Sequence, residues 1–458
     1  MTDATRFFAA TDVGRVREHN EDNFLVDKKL QLFMVADGMG GHAAGEVASA
    51  ICVRTIHEEL KREKELLSDY VVSARGANRV TATDITTLLE HAVQRACQRI
   101  HEEAQVDTEK RGMGTTLSLL LVLGHHGFIA HVGDSRIYLL RAGKCQQITE
   151  DHTVMNELIR RGKLTQEQIS KVQQKNAITR AVGVYERVDV DTLMLELVPG
   201  DRFTLASDGL TGYLESADEL GNYVALEGDE ATKSLVHLAN ERGGKDNITC
   251  IVVHVGGESG GEDRAKKVAM KREVVAKIPM FSRLTERELL RVMQALQVQS
   301  FKAEDVIIRE GDKGEELYII LDGRVRVLRG EEALTTLGQG QHFGEMALIR
   351  AVPRSATIIS DGPSELLVMR RTDFFDILRQ DHEAAVKILW QFLGALADRL
   401  DQTSGELRQA KEEMAAVEYE DVTVEIFPSL EAIAQAKPAV KPTAKPATTP
   451  VSKAPLKK

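Results

Sequence analysis

LFMVADGMGGHAAGE, residues 32–46, reads as a buried strand running into an aspartate, a glycine-rich turn and the start of a helix. Leu32–Ala36 offers no polar side to solvent, so the strand is covered on both faces. It ends at Asp37, next to Gly38. The same arrangement recurs in FIAHVGDS, which ends on Gly133 and Asp134, and in FTLASDG, which ends on Asp208 and Gly209. GGKDNITCIVV is its mirror image, with Asp246 ahead of an apolar strand. TDVGRVREHNEDNF adds a further acidic pair, Glu21 and Asp22.

A single aspartate at a strand end is usually a turn residue or a helix cap. Four at matching places call for a common reason. A carboxylate at the end of a core strand costs several kcal/mol unless something compensates it. If the strands lie side by side, their ends share one rim, and the acids there repel one another. A divalent cation resolves the repulsion. Carboxylate, carbonyl and water oxygens suit Mg²⁺ or Mn²⁺, and no His/Cys set has zinc spacing. Such ions polarise a water and bind phosphoryl oxygens together. Arg17, a few residues before Glu21 and Asp22, reaches the same rim, and its planar fork suits a phosphate. Taken alone, Arg17 reads as a solvated surface charge.

The chain of 458 residues has room for two or three domains with full cores. Its net charge of −11 argues against a general nucleic-acid binder. Cys52, Cys97, Cys145 and Cys250 lack finger spacing and read as buried reduced thiols. No apolar run approaches the roughly 18 residues of a membrane span. The N-terminus has no signal-peptide pattern, so a cytoplasmic protein is expected.

Residues 256–273 open on GGESGGEDRAKK, Gly-rich, charged and without apolar periodicity, and are expected to be a linker. Before it, residues 1–255 alternate buried strands (Leu32–Ala36, Leu117–Leu123, Phe128–Val132, Arg202–Ala206, Ile248–Val255) with helices over Glu46–Arg62 and Thr86–Gln105. After it, a helix is expected over 281–300, then short glycine-punctuated strands of a roll or barrel, then helix over 372–418. Residues 401–435 are taken as a C-terminal helix and extension. Residues 436–458, with half of the chain's ten prolines, six lysines and no acid, are expected to be a disordered basic tail.

The N-terminal runs resemble the PPM (type 2C) metal-dependent protein phosphatases in their bacterial form. The matching stretches include TDVGRVREHNEDNF, VADGMGGHAAGEVAS, GMGTTLSLLLV, HVGDSRIYLLR, ITEDHTVMNELIRRG, LVPGDRFTLASDGLTGYL and GGKDNITCIVV, in family order. The resemblance implies an α/β/β/α sandwich with a binuclear Mn²⁺ or Mg²⁺ site at one end. By motif position, Asp37 would bridge two ions. Asp208 and Asp246 would complete one site and the Gly38 carbonyl the other. Glu21 and Asp22 would act through waters, and Asp134 with Asp208 would take a third ion. Arg17 would hold the substrate phosphate, and His42 is a candidate proton donor or substrate contact, or an ordinary hydrogen-bonded loop histidine. Residues 152–190 match the family's variable flap. Phosphoserine and phosphothreonine proteins are the expected substrates.

QHFGEMALIRAVPRSATII, residues 341–359, is the second informative stretch. Gly344 and Glu345 open a short apolar turn, and Arg354 follows. A short helix start and an Arg fork suit a phosphate, and a glutamate suits a sugar hydroxyl. As an isolated pair, Glu345 and Arg354 read as a surface ion pair. Residues 274–400 resemble the cyclic nucleotide-binding domains of cAMP-dependent kinase regulatory subunits and catabolite activators. That implies a β-roll with flanking helices, making the chain α+β overall. Glu345 would take the ribose hydroxyl and Arg354 the cyclic phosphate, with Gly344, Ala347 and Ser355 lining the cassette and cAMP or cGMP as ligand. Leu393, Leu396, Leu400, Thr403, Leu407, Ala410, Met414 and Val417 alternate three and four apart, the seam of a coiled coil or of a helix folded back on the roll. Two functions are open: a phosphatase tuned by a cyclic nucleotide, as a monomer or as a homodimer through the C-terminal helix, or a nucleotide sensor whose phosphatase half mainly binds phosphoproteins. The intact aspartate set favours the first.

Overall fold

The computed structural model describes residues 5–40, 44–73, 80–160, 177–256, 261–350 and 352–423. β1 (Arg6–Asp12), β2 (Asp22–Asp27) and β3 (Leu32–Met39) open the chain. α1 (Ala44–Arg62), α2 (Lys64–Ser73) and α3 (Ala82–Val106) follow. Next come β4 (Gly114–Thr115), β5 (Leu117–Leu123), β6 (His126–Val132), β7 (Arg136–Arg141), β8 (Lys144–Gln147) and α4 (Val154–Arg160). β9 (Asp191–Glu196), β10 (Arg202–Ala206), α5 (Asp208–Thr211), α6 (Ala217–Val224), α7 (Glu230–Glu241) and β11 (Ile248–His254) complete the N-terminal half.

Two antiparallel sheets result, one ordered β1-β11-β10-β7-β8 and the other containing β2-β3-β5-β6-β9. The two-residue period of the strands builds three cores from them. On β3, Leu32, Met34 and Ala36 face a core shared with Ile56, Leu60, Leu89 and Ile100 of the helices. Phe33 and Val35 face the other way, onto Phe203, Leu205, Ile251 and Val253 between the sheets. The alternate residues Ile248, Cys250 and Val252 pack under Leu220 and Leu235. Strands sandwiched in this way must be apolar on both faces, which is why they read as unbroken runs. All four cysteines are buried and free.

The C-terminal half begins with α8 (Gly261–Lys277) and α9 (Glu286–Gln294). β12 (Gln297–Phe301), β13 (Val306–Ile308), β14 (Glu316–Asp322), β15 (Arg324–Arg329), β16 (Glu332–Gly338) and β17 (His342–Phe343) lead to the short α10 (Met346–Ile349). β18 (Thr357–Ser360), β19 (Ser364–Arg370), α11 (Arg371–Gln380) and α12 (His382–Thr423) end it. Two four-stranded antiparallel sheets, β12-β19-β14-β17 and β13-β18-β15-β16, close on Tyr318, Ile320, Val325, Phe343, Ile358, Leu366 and Val368. This is the expected roll with flanking helices.

Three expectations change. Much of the expected linker is the helix α8, which buries Val268, Val274 and Val275. Its buried face also carries Lys271, whose ammonium donates to the Leu296 carbonyl at 3.2 Å. A charge on the inward face hides the apolar spacing from a sequence reader. The helix expected over 281–300 stops at Gln294, and Gln297–Phe301 is a strand. The helix expected over 372–418 is broken at Asp381, whose carboxylate caps α12 by accepting from the Ala384 amide at 3.0 Å.

The chain divides into two compact units, Met1–Phe392 and Leu393–Lys458. Both halves therefore lie within the first unit. α9 packs on the edge strand β9, and Leu290 joins the core between the two sheets of the N-terminal half, beside Leu193 and Leu195. The described part of the second unit is the remainder of α12, and the expected tail lies outside the described residues. Among the described residues, no helix is long and apolar enough to cross a membrane.

Candidate functional site

The strand ends of the N-terminal half meet at one rim. β3 delivers Asp37, β6 runs into Gly133 and Asp134, β10 into Ser207 and Asp208, and Asp246 precedes β11. β2 opens on Asp22, which stands directly opposite Asp37 in the β2–β3 ladder. Like charges so placed repel. The Asp37 and Asp208 carboxyls share a hydrogen bond. Ser207 Oγ donates to Asp22 Oδ2 at 2.8 Å. Yet Asp22 Oδ1, Asp134 Oδ1 and Asp208 Oδ1 are buried without a partner among the described residues. Buried acceptors left unmatched are costly and call for a donor or a cation.

The electrostatics agree. Burial pushes the Asp22 carboxyl up to about 7, helped by Asp208 and Asp246. Burial, then Asp208 and Asp151, push Asp134 up to about 7. Asp37 is driven well above the carboxylate range by burial and by Asp22 and Asp208. Asp208 and Glu21 are also raised, mainly by burial. Several acids that resist ionising together suit hard divalent cations. Among the described residues, no three His, Cys, Asp or Glu side chains already converge as ligands of one ion. The acids pair with what is at hand, Asp37 with Asp208 and Asp246 with Arg17. The donor set, all carboxylates with unmatched buried oxygens, is right in chemistry for a hard divalent cation.

Arg17 is half-exposed at the rim. Its Nη2 donates to Asp246 Oδ2 at 2.8 Å, and Nη1 stands 3.9 Å from Glu21 Oε2. The loop that carries it is tied by a residue the sequence reading passed over. Asn247 Nδ2 donates to the carbonyls of Val13 at 3.0 Å and His19 at 2.9 Å. Asn247 Oδ1 accepts from the Glu21 amide at 2.8 Å. Its only sequence signal was adjacency to Asp246. Gly38 has no room for a side chain, since a Cβ would lie 2.1 Å from the Gly45 carbonyl oxygen. That close approach brings the start of α1 against the rim. His42 lies outside the described residues, as does 161–176 of the expected flap.

Behind Asp134, His152 clamps Gly133. The Gly133 amide donates to His152 Nδ1 at 3.1 Å, and the His152 amide donates to the Gly133 carbonyl at 2.8 Å. Asp37 is held from its flank, with Thr115 Oγ1 donating to its carbonyl at 2.9 Å. Thr115 and Val182 exchange backbone hydrogen bonds at 3.0 and 2.8 Å.

In the roll, Arg354 is almost fully buried. Nη1 donates to the Glu316 carbonyl at 3.0 Å and Nη2 to Glu316 Oε2 at 3.1 Å. The guanidinium carbon sits 5.8 Å from the Tyr318 ring centroid. Gly314 makes the space, because a Cβ there would lie 2.2 Å from Arg354 Nε. That Nε is buried and, among the described residues, a donor without an acceptor. Gly344 lies beside the guanidinium, Glu345 is half-buried just ahead of α10, Ala347 is buried and Ser355 is exposed. Glu316 and Gly314 were not read as cassette residues, because neither touches the cassette in sequence.

The protein phosphatase 2C profile matches residues 14–243, half of the chain. The chain belongs to the protein phosphatase 2C family. A cyclic nucleotide-binding domain profile matches residues 298–381. The serine/threonine phosphatase stp of Listeria innocua is 38% identical over 247 residues, which are 53% of this chain and 92% of that protein. Protein phosphatase PhpP of Streptococcus pneumoniae is 36% identical over 244 residues, 52% of this chain and 93% of that one. The solved serine/threonine phosphatase PstP/Ppp of Mycobacterium tuberculosis, at 32% identity and a TM-score of 0.48, covers 56% of this chain and 100% of its own. This 2C phosphatase is accordingly a protein serine/threonine phosphatase with a cyclic nucleotide-binding domain attached.

Proposed function

We propose that the protein removes phosphate from phosphoserine and phosphothreonine of other proteins with Mn²⁺ or Mg²⁺, and that cAMP or cGMP bound in the roll tunes the rate. The observation that carries the catalytic reading is the rim itself: aspartates from separate strand ends, with buried oxygens that lack partners, beside an exposed arginine.

Asp37, Asp208 and Asp246 with the Gly38 carbonyl would hold two ions, and Asp134 with Asp208 a third. Cations there supply charge neutralisation at the phosphoryl oxygens and a water acidic enough to lose its proton near neutral pH. Glu21 and Asp22 orient waters at the rim. Arg17 receives the phosphate once its fork leaves Asp246, and Asn247 keeps the Arg17 loop at that distance. His42 is the candidate donor of the proton that the leaving seryl or threonyl oxygen requires.

In the roll, Arg354 is the charge partner for the cyclic phosphate and Glu345 the acceptor for the ribose hydroxyl, lined by Gly344, Ala347 and Ser355. The unpartnered buried Nε of Arg354 supports an anionic ligand. Homodimerisation through α12 has support of its own, because Leu393, Leu400, Leu407 and Met414 are exposed at seven-residue spacing. Sedimentation of the full chain beside a Leu400→Asp/Leu407→Asp variant tests it, with loss of the dimer expected.

The deciding experiment is turnover of a phosphothreonine protein by the full chain, with Mn²⁺ or EDTA, and with cAMP, cGMP or neither. Mn²⁺-dependent turnover that shifts several-fold with one nucleotide is expected, in the range of about 5–150-fold typical of coupled sites. Equal turnover in EDTA overturns the metal mechanism, and equal turnover in all nucleotide conditions overturns the tuning.

A further inference from the structure

We infer that Arg287, carried by the C-terminal half, is a positioning residue for the phosphatase rim. The inference rests on the phosphatase reading above, and adds to it the contact through which the C-terminal half reaches the rim.

Arg287 lies on the first turn of α9. Its side chain is 14% exposed, and its two Nη groups donate to Glu150 and to Asp191 of the phosphatase half. Asp191 is a junction. Its Oδ1 accepts from Arg180 Nη1 at 3.0 Å, and its Oδ2 stands 3.6 Å from His152 Nε2. Burial alone would raise this carboxyl. The neighbouring His152 imidazole and the charge of Arg287 outweigh burial and hold it well below the ordinary carboxylate range.

Two short paths lead from Asp191 to the rim. The first runs through His152, which holds both the amide and the carbonyl of Gly133, the neighbour of Asp134. The second runs through Arg180 to Val182 two residues on, then to Thr115 and the carbonyl of Asp37. Two rim aspartates are thus placed by backbone that a residue of the other half steadies. Glu150 belongs to the same group, since its carbonyl faces His131 Nε2 at 3.1 Å and His131 pairs with Asp191 across the β6–β9 ladder.

Simple docking is a poorer account of Arg287. Burying a guanidinium against two acids costs desolvation that such pairs seldom recover, so an ion pair is a weak adhesive. The adhesive is nearby: Leu290 enters the core beside Leu193 and Leu195, and Gln294 donates to the Met194 carbonyl on the open edge of β9. The same stretch of α9 faces the other way too. Glu288 accepts from Lys387 of α12 at 2.9 Å, and Arg291 donates to Asp381 between α11 and α12 at 2.7 Å. Arg287 therefore sits on the one turn that grips the rim's support on one side and the α11–α12 junction on the other.

The test compares the full chain with Arg287→Ala, Arg287→Lys and Gln294→Ala. Turnover of a phosphothreonine peptide is split into kcat and KM, and Mn²⁺ binding is followed by calorimetry without substrate. Arg287→Ala should lower kcat and weaken the weakest Mn²⁺ site, each by about three- to tenfold, while KM stays within about twofold. Arg287→Lys, able to serve one acid at a time, should recover part of both. Gln294→Ala, which loosens the same contact off the path, should match the wild type. A wild-type kcat and Mn²⁺ isotherm in Arg287→Ala would overturn the inference, and so would an equal loss in Gln294→Ala. If Arg287→Ala does not fold, Arg287→Lys decides alone: a wild-type isotherm and kcat overturn the inference, a partial loss of both supports it. A wild type without Mn²⁺-dependent turnover would remove the phosphatase reading, and the Mn²⁺ isotherms would still report on the positioning role.

Discussion

The rim of the phosphatase half and the cassette of the roll, each proposed above as a phosphate site, are built on opposite plans. At the rim, like charges are crowded together and three buried carboxylate oxygens lack partners among the described residues. In the cassette, one buried arginine is already matched by the carboxylate and carbonyl of Glu316. A site of self-repelling acids is incomplete until cations arrive, so its chemistry depends on them. A site whose cation is already paired at both Nη groups makes a ligand compete for them, while the buried Nε still lacks an acceptor among the described residues. The first plan suits a permanent catalytic centre and the second a reversible switch.

The largest test of this contrast is at the rim. Asp208→Ala removes the carboxyl shared by Asp37 and by the Asp134 side of the rim. It should lower Mn²⁺-dependent kcat by about a thousandfold or more, since metal stabilisation is worth several kcal/mol. EDTA on the wild type should do the same, measured with a phosphothreonine peptide. Residual activity above a tenth of wild type would break the contrast.

Next comes the cassette. Arg354→Ala in the full chain should weaken cAMP or cGMP binding by about 2–5 kcal/mol, the usual loss when one member of a buried charge pair is truncated. Calorimetry reads this directly. Unchanged affinity would mean that the cassette's cation serves only Glu316.

A stability test sharpens the contrast further. Without metal, the rim acids oppose folding, so Asp37→Asn should raise the melting temperature in EDTA by a few degrees, about 1–2 kcal/mol, while abolishing turnover. The pH dependence has a definite sign. Asp22 and Asp134 are pushed from 3.8 up to about 7 in the fold. The unfolded chain ionises them first, so their contribution favours the fold at low pH and is lost as pH rises through about 7. The melting temperature in EDTA should therefore fall between about pH 5 and 7, and saturating Mn²⁺ should remove that fall. A metal-free protein that gains stability across this window would contradict the crowded-acid account.

The smallest effect is at Glu316. It is partly exposed, so its pairing with Arg354 is worth little beyond about 1 kcal/mol. Glu316→Gln should free the guanidinium and tighten nucleotide binding by less than about tenfold. Weaker binding in Glu316→Gln would show that the glutamate positions Arg354 instead of competing for it.

Much of this was legible in one dimension. Leu117–Leu123 and Arg202–Ala206 are strands with the bounds their apolar runs suggest. Asp37, Asp134, Asp208 and Asp246 stood out because each sits where an apolar strand meets a glycine, a turn or both. Periodicity failed where a charge is buried or where two elements adjoin. Lys271 on the inner face of α8 disguised a helix as a linker, and the α9–β12 junction read as one long helix.

The sequence by itself determined the alternating strands and the acids at their ends, since these follow from local pattern and residue chemistry. Only the tertiary structure decided which partners those residues take. Arg17 meets Asp246 across 229 positions, Asn247 ties the loop from Val13 to Glu21, and Arg287 reaches Asp191 from the other half of the chain. The physical reason is that polar contacts are chosen by proximity after the apolar layers have closed. Hydrophobic period dictates those layers, and no pattern in the chain records which charged ends the layers bring together.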